Sequence, residues 1–190
     1  MPEASRSADD FDAQKNLGKL KAGALLLAQD MADPNFSATM VLLCQHSAEG
    51  SYGLVLNRPS HMPLSEVFDA PPGWVGSVGQ RQRMHIGGPV QSEELQILQV
   101  TDEPVPGAYH VAPKVYLGGY WGEVKDVLDL DPKSTRLFLG YSGWGPDQLA
   151  KEVSAQAWDV WDVDVKKLLL SPEEAWSGGL GPIKAFLSKL

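Results

Sequence analysis

Apolar residues fall in short runs separated by Pro, Gly, Asp, Asn and Ser, a spacing that predicts strands more often than helices. Residues 24–28 are the first run. Residues 39–46 (TMVLLCQH) and 135–141 (TRLFLGY) are almost continuously apolar, as expected of strands covered on both faces. A short loop at 48–51 leads into residues 52–57 (YGLVLN), so this stretch predicts a β-hairpin. Pro59 lacks an N–H and ends it. Asp33-Pro34-Asn35 predicts a turn: Pro fixes φ, and the Asp and Asn side chains bond nearby backbone. Further short strands are expected at 84–88, 95–101 and 109–112. Between 158 and 163, Trp158 and Val160 fall on one parity and Trp161 and Val163 on the other, so the pattern leaves the facing open.

Helical spacing is rarer. Leu64, Val67 and Phe68 share a stripe in 63–68, ahead of a Pro/Gly-rich loop at 70–82. Val124, Val127 and Leu128 predict a helix over 122–128. Residues 146–157 give the clearest helix, with Pro146 at its first position and Leu149 and Val153 inward. Residues 165–170 and 183–190 are expected to be short closing helices. Residues 1–16 have little to bury and are expected to form a flexible N-terminal tail. Residues 17–190 show no change of composition and no internal repeat. The reading is one α+β domain, a mixed and largely antiparallel β-sheet packed with several short helices, without regular βαβ spacing.

Charge narrows the partners. The 16 Lys and Arg against 24 Asp and Glu give a formal net charge of −8, which repels phosphate backbones and anionic lipid. With no basic stripe and no helix-turn-helix pattern, direct nucleic-acid binding is not expected. A single cysteine, Cys44, excludes an intrachain disulfide and a thiolate zinc cage. No secretory leader and no apolar run of membrane-spanning length is visible, so a soluble cytoplasmic monomer is expected. His46, His61, His85 and His110 lack metal-ligand spacing, and no phosphate-loop or dinucleotide fingerprint occurs, so neither metal nor cofactor is expected.

Three segments, in order, carry a family resemblance: residues 23–59 (GALLLAQDMADPNFSATMVLLCQHSAEGSYGLVLNRP), Gly87-Gly88-Pro89-Val90, and residues 139–149 (LGYSGWGPDQL). On these the chain resembles the AlgH/YqgE family of bacterial proteins. The resemblance covers roughly residues 17–170 and implies a cytoplasmic α+β protein without an established enzyme activity. One namesake member is linked to transcriptional control of alginate synthesis, so the resemblance also implies a regulatory role. Gln29, Gln45, Ser142 and Asp147 stand where the family usually has Pro, an acid, Ala and Gly.

Catalytic templates fail at named positions. Cys44 is the one candidate reactive thiol, with His46 two residues along the same strand, but no third orienting group is evident. Ser142 fails the G-x-S-x-G elbow because position 144 is Trp. The turn before residue 148 resembles an anion-binding helix start, but Asp147 opposes that field. No catalytic residue is assigned. The remaining turn and strand-end residues, Asp33, Asn35, Asn57, Arg58, Gly88, Trp144 and Gln148, form a candidate binding patch if the fold brings them together. Arg58 could fork onto a carboxylate or phosphate, or pair internally with Asp33. The sequence thus points to a binding or regulatory protein with a protein or small-molecule partner. The alternative is an enzyme or small-ligand-binding protein using the patch at Arg58, with Cys44.

Overall fold

Three consecutive leucines, Leu25, Leu26 and Leu27, are wholly buried. Neighbouring strand side chains point to opposite faces, so such a run requires a sheet covered on both sides. The computed structural model, which describes residues 8–30, 32–62, 84–131, 133–176 and 178–190, shows this sheet. Leu25 and Leu27 pack with Leu42, Cys44, Leu54 and Phe138, under Leu168, Ile183 and Leu187 from the C-terminal helices. Leu26 packs on the other face with Val41, Leu43, Val55, Trp158, Leu149 and Val153. A third core joins Met84, Ile97, Leu137 and Leu139 to Val124 and Leu128.

The described strands are β1 Leu25–Ala28, β2 Met40–Ser47, β3 Gly50–Val55, β4 Met84–Ile86, β5 Val90–Val100, β6 Ala108–Ala112, β7 Val115–Gly118, β8 Thr135–Trp144 and β9 Trp158–Trp161. The helices are α1 Ala8–Gly18, α2 Trp121–Leu130, α3 Gln148–Ser154, α4 Val165–Leu170 and α5 Leu180–Leu187, with 3-10 turns at Pro34–Phe36 and Glu173–Trp176. The sheet runs β6-β7-β5-β8-β3-β2-β1-β9, and β4 pairs with β8 off this path. Only β4 and β8 pair in parallel; every other described pair is antiparallel. The expected α+β domain with a mixed, largely antiparallel sheet is therefore what forms. No described helix is long and apolar enough to cross a membrane.

Several boundaries differ from the sequence reading. The strand expected from 95 starts at Val90, and its register shifts between Val90 and Leu95. Val115–Gly118 is an additional strand, too short to show periodicity, paired to β6 through a turn in which Lys114 takes φ 64°. The helix expected from Pro146 begins two residues later, because Asp147 adopts a left-handed φ of 59° at the cap, and it ends at Ser154. The expectations for 63–68 and 70–82 fall outside the described residues. β9 resolves the open parity: Trp158 and Val160 face the second core, while Trp161 and Val163 pack against the first.

The two glycine-containing motifs lock together where the β4–β5 connection crosses β8. A Cβ on Gly87 would meet the Gly140 carbonyl, and one on Gly88 would meet the Tyr141 backbone. Gly140, at φ 68°, faces the Gly88 carbonyl in turn. The bare backbones let Gly87 donate to Leu139 O at 2.8 Å and accept from Val55 N–H at 2.9 Å. These glycines therefore exist for close approach between chains.

Candidate functional site

The residues singled out by sequence each hold local structure, and the Pro34–Phe36 turn links some of them, Phe36 stacking on Trp144 at 6.4 Å between ring centroids. Asn57 clamps the turn before β2: its Oδ1 accepts the Met40 N–H at 2.9 Å and its Nδ2 donates to Ala38 O at 2.9 Å. The Asp33 carbonyl accepts the Phe36 N–H at 2.8 Å, and Asn35 lies in that 3-10 turn. Gly88 belongs to the crossing over β8. Trp144, at the far end of β8, is buried and donates its Nε1–H to Glu152 Oε2 at 2.8 Å. The same oxygen accepts from Trp158 Nε1 at 2.9 Å, and Gln148 Nε2 donates to Glu152 Oε1 at 3.2 Å. Gln148 Oε1 also takes the Gly145 N–H at 2.9 Å, which fills the helix start where an anion had been considered. Trp144 is the cross-strand partner of Ser51, whereas Asn57 lies beyond the other end of β3.

Cys44 and His46 are likewise kept apart. The β2–β3 register shifts between Leu43 and Gln45, so a bulge falls at Cys44. Cys44 is buried in the first core, and desolvation holds its thiol well above the usual range. His46 Nδ1 instead pairs with Ser51 Oγ at 2.7 Å. Ser142 is fully buried and donates to Gly87 O at 3.1 Å. Neither the thiol nor this hydroxyl is presented to a substrate.

Two concavities are lined by described residues. The smaller, about 200 Å3, lies beside Asn57 and Pro59 and is lined by His85, Glu173, Glu174 and Trp176. Beneath it Glu173 Oε1 is shared by two side chains: His85 Nε2 lies 3.1 Å away and Arg136 Nη1 3.0 Å. Arg136 also donates to Leu169 O and lies 4.8 Å over the Trp176 ring. Burial pulls the Arg136 pKa down, and Glu173 opposes that pull. This network fastens the C-terminal arm across β4 and β8, and the adjacent cavity is below the roughly 300 Å3 at which ligand pockets begin. Arg58 does not line it; Asn57 and Pro59 do, as alternation along an extended segment dictates. No ion pair with a described residue engages the Arg58 guanidinium.

The larger concavity is about 930 Å3, within the range of ligand and peptide sites. It runs between β6 and the β9–α4 connection, over α5. Residues 21–23 and 110–113, in contact where Gly23 meets Val111 and Ala112, line it together with residues 161–165, Leu187 and Leu190. The family model described as AlgH-like matches residues 24–183 of the chain. The chain belongs to the AlgH-like family. A UPF0301 protein of Chlorobium limicola is 32% identical over 168 residues, covering 84% of each chain. Another, of Chlorobium chlorochromatii, is 36% identical over 144 residues, 74% of this chain and 73% of that one. The solution structure of AlgH from Pseudomonas aeruginosa superposes with a TM-score of 0.66 at 29% identity, covering 92% of this chain and 88% of that one. A crystal structure of a Corynebacterium diphtheriae protein gives 0.65 at 25% identity, covering 84% of each.

In this AlgH-like chain the groove was not legible from sequence, because its walls come from four distant segments and carry no motif. Its polar groups are Lys21, His110, Asp162 and Asp164 around apolar walls. Lys21 Nζ lies 3.6 Å from Asp162 Oδ2, with both side chains exposed, and Asp164 Oδ1 caps α4 by accepting the Lys167 N–H at 3.1 Å. Among the described residues no set of three His, Cys, Asp or Glu side chains is gathered to hold a metal ion. The arrangement offers hydrogen bonds, apolar contact and charged groups of both signs.

Proposed function

We propose that this AlgH-like protein is a cytoplasmic, non-catalytic binding protein of regulatory role. It holds a protein or small-molecule partner in the groove between β6 and the β9–α4 connection, without touching DNA itself. One observation carries this reading: the concavity of partner-accepting size is lined by neither cysteine nor serine, while Cys44 and Ser142 are sealed in the sheet. The net charge of −8 opposes direct contact with a phosphate backbone. The test is a metabolite thermal-shift screen on the full chain, with hits mapped by amide chemical shifts and recovered for analysis. Hits should shift Val111, Ala112 and Val163 and return chemically unchanged. Turnover of a hit, or tight duplex-DNA binding with a steep salt slope, would overturn the reading.

A second reading places an anionic ligand, or its conversion, at Arg58. It is favoured by the absence of an ion-pair partner for that guanidinium among the described residues, beside exposed Met62 and Ile86. Loss of a hit's binding in Arg58→Ala, with groove amides silent, would move the site there.

A further inference from the structure

Polarity in the groove is layered. Val111, Ala112, Val165 and Leu187 line it and are buried, so they form its floor. Trp161 and Val163 are half-buried, while Lys21, His110, Asp162 and Asp164 are exposed and form its rim. The Trp161 indole is fixed in place, because its Nε1–H is donated to Asp159 Oδ2 at 2.9 Å. A ligand that fills about 930 Å3 over such a floor carries an apolar body. The rim charges then decide what stands at its polar end.

The rim carries both signs. Lys21 Nζ stands 3.6 Å from Asp162 Oδ2, too far for a hydrogen bond, and both side chains are exposed. Such a pair contributes little and keeps its hydrogen-bonding capacity for water or a ligand. Asp164 uses one carboxylate oxygen to cap α4 through the Lys167 N–H. A lone cation at this rim must take Asp162 from Lys21 and then sits beside the displaced ammonium. A lone anion bound to Lys21 meets Asp162 and Asp164. A head group carrying both signs avoids each conflict: its ammonium faces the aspartates, its anion faces Lys21, and the net charge of the rim is unchanged.

Resting on the reading of the groove as the binding site, we propose that its occupant is a free single-chain amphiphile with a zwitterionic head, an ammonium joined to a carboxylate or a phosphate. Its tail lies along Trp161 and Val163 over Leu187, and its head spans Lys21 and Asp162.

The test titrates the isotope-labelled full chain with octyl amphiphiles that share one tail, each below its micelle threshold: octylphosphocholine, octyl dimethylglycine betaine, octyltrimethylammonium and octyl sulfate. At least one zwitterion should shift Val111, Ala112 and Val163 to saturation and bind about tenfold tighter than either single-sign head; the tighter of the two identifies the anion. Affinity should rise about two- to fourfold per methylene from hexyl to octyl. Lys21→Gln with Asp162→Asn should weaken the zwitterion about tenfold, while neutral octyl glucoside binds parent and variant alike. Equal or tighter binding of a single-sign head overturns the proposal, as does a zwitterion preference that survives in the double variant. Shifts centred on exposed Met62, Ile86 and Leu130 would mean adsorption to apolar surface and overturn it as well. Phosphatidylcholine vesicles should leave the chain in the supernatant; co-sedimentation would make the occupant a bilayer lipid and overturn the free ligand. If no amphiphile shifts the groove at about 2 mM, the ligand class is wrong; metabolite hits mapping there would leave the binding-site reading standing, and their absence would end both.

Discussion

Replacing Asn57 by Ala removes both arms of the clamp that fixes the chain entering β2. The Met40 N–H loses its 2.9 Å acceptor, and Met40 is wholly buried. A buried donor left unmet costs about 1–3 kcal/mol. The second bond ends on the carbonyl of exposed Ala38, which water can satisfy, so its loss adds about 0.5–1 kcal/mol. The expected loss is about 1.5–4 kcal/mol, which in a chain of this size lowers Tm by about 3–16 °C. Asn57→Asp keeps the acceptor and loses the donor, so it should cost about 1 kcal/mol. Urea denaturation at constant m gives the three stabilities, and hydrogen exchange at the Met40 amide reports the clamp directly. A loss below about 0.5 kcal/mol in Asn57→Ala, with Met40 protection unchanged, would refute the structural role assigned to this motif residue.

The remaining predictions contrast architecture with surface. Arg58→Ala should stay within about 0.5 kcal/mol of the parent in the same urea series, because no described ion pair is lost; a loss above about 1.5 kcal/mol would reveal a structural partner. Gly88→Ala drives a methyl into the Tyr141 backbone and should cost more than about 3 kcal/mol or yield no folded protein, read by circular dichroism; a parent-like melt would contradict the crossing. Burial raises the Cys44 thiol above its unfolded value near ~8.5, so its contribution is intact below that pH and stability falls as pH rises past it. The slope should reach about 1.4 kcal/mol per unit between about pH 8.5 and 10, and Cys44→Ala should flatten it. Iodoacetamide should leave native Cys44 unlabelled at about pH 8; rapid labelling would show an exposed thiolate.

The strands were legible where both faces are buried, since Leu25–Leu27 and Val41–Cys44 leave no polar position to mislead the eye. Positions ruled by backbone geometry were not. Pro146 promised a helix start that the left-handed Asp147 delays, and the pairing of β6 with Val115–Gly118 depends on a turn no periodicity announces. The motif residues lie at strand ends and turns, where Asn57, Gly88, Trp144 and Gln148 are engaged in holding the fold. Glu152 gathers two indole N–H groups, and Glu173 joins His85 to Arg136; neither stood out, because their partners are remote or unpatterned. The groove escaped notice for a related reason, being lined by four remote segments that carry no motif.

The most direct measurement sets the groove against the Asn57–Pro59 turn as rival sites. The labelled full chain is titrated with any ligand that raises its Tm, and amide shifts are followed throughout. Val111, Ala112 and Val163 should move together and saturate, while Asn57, Arg58 and Ile86 stay still. Saturating shifts centred on Asn57, Arg58 and Ile86, with the groove amides silent, would contradict the assignment of binding to the groove.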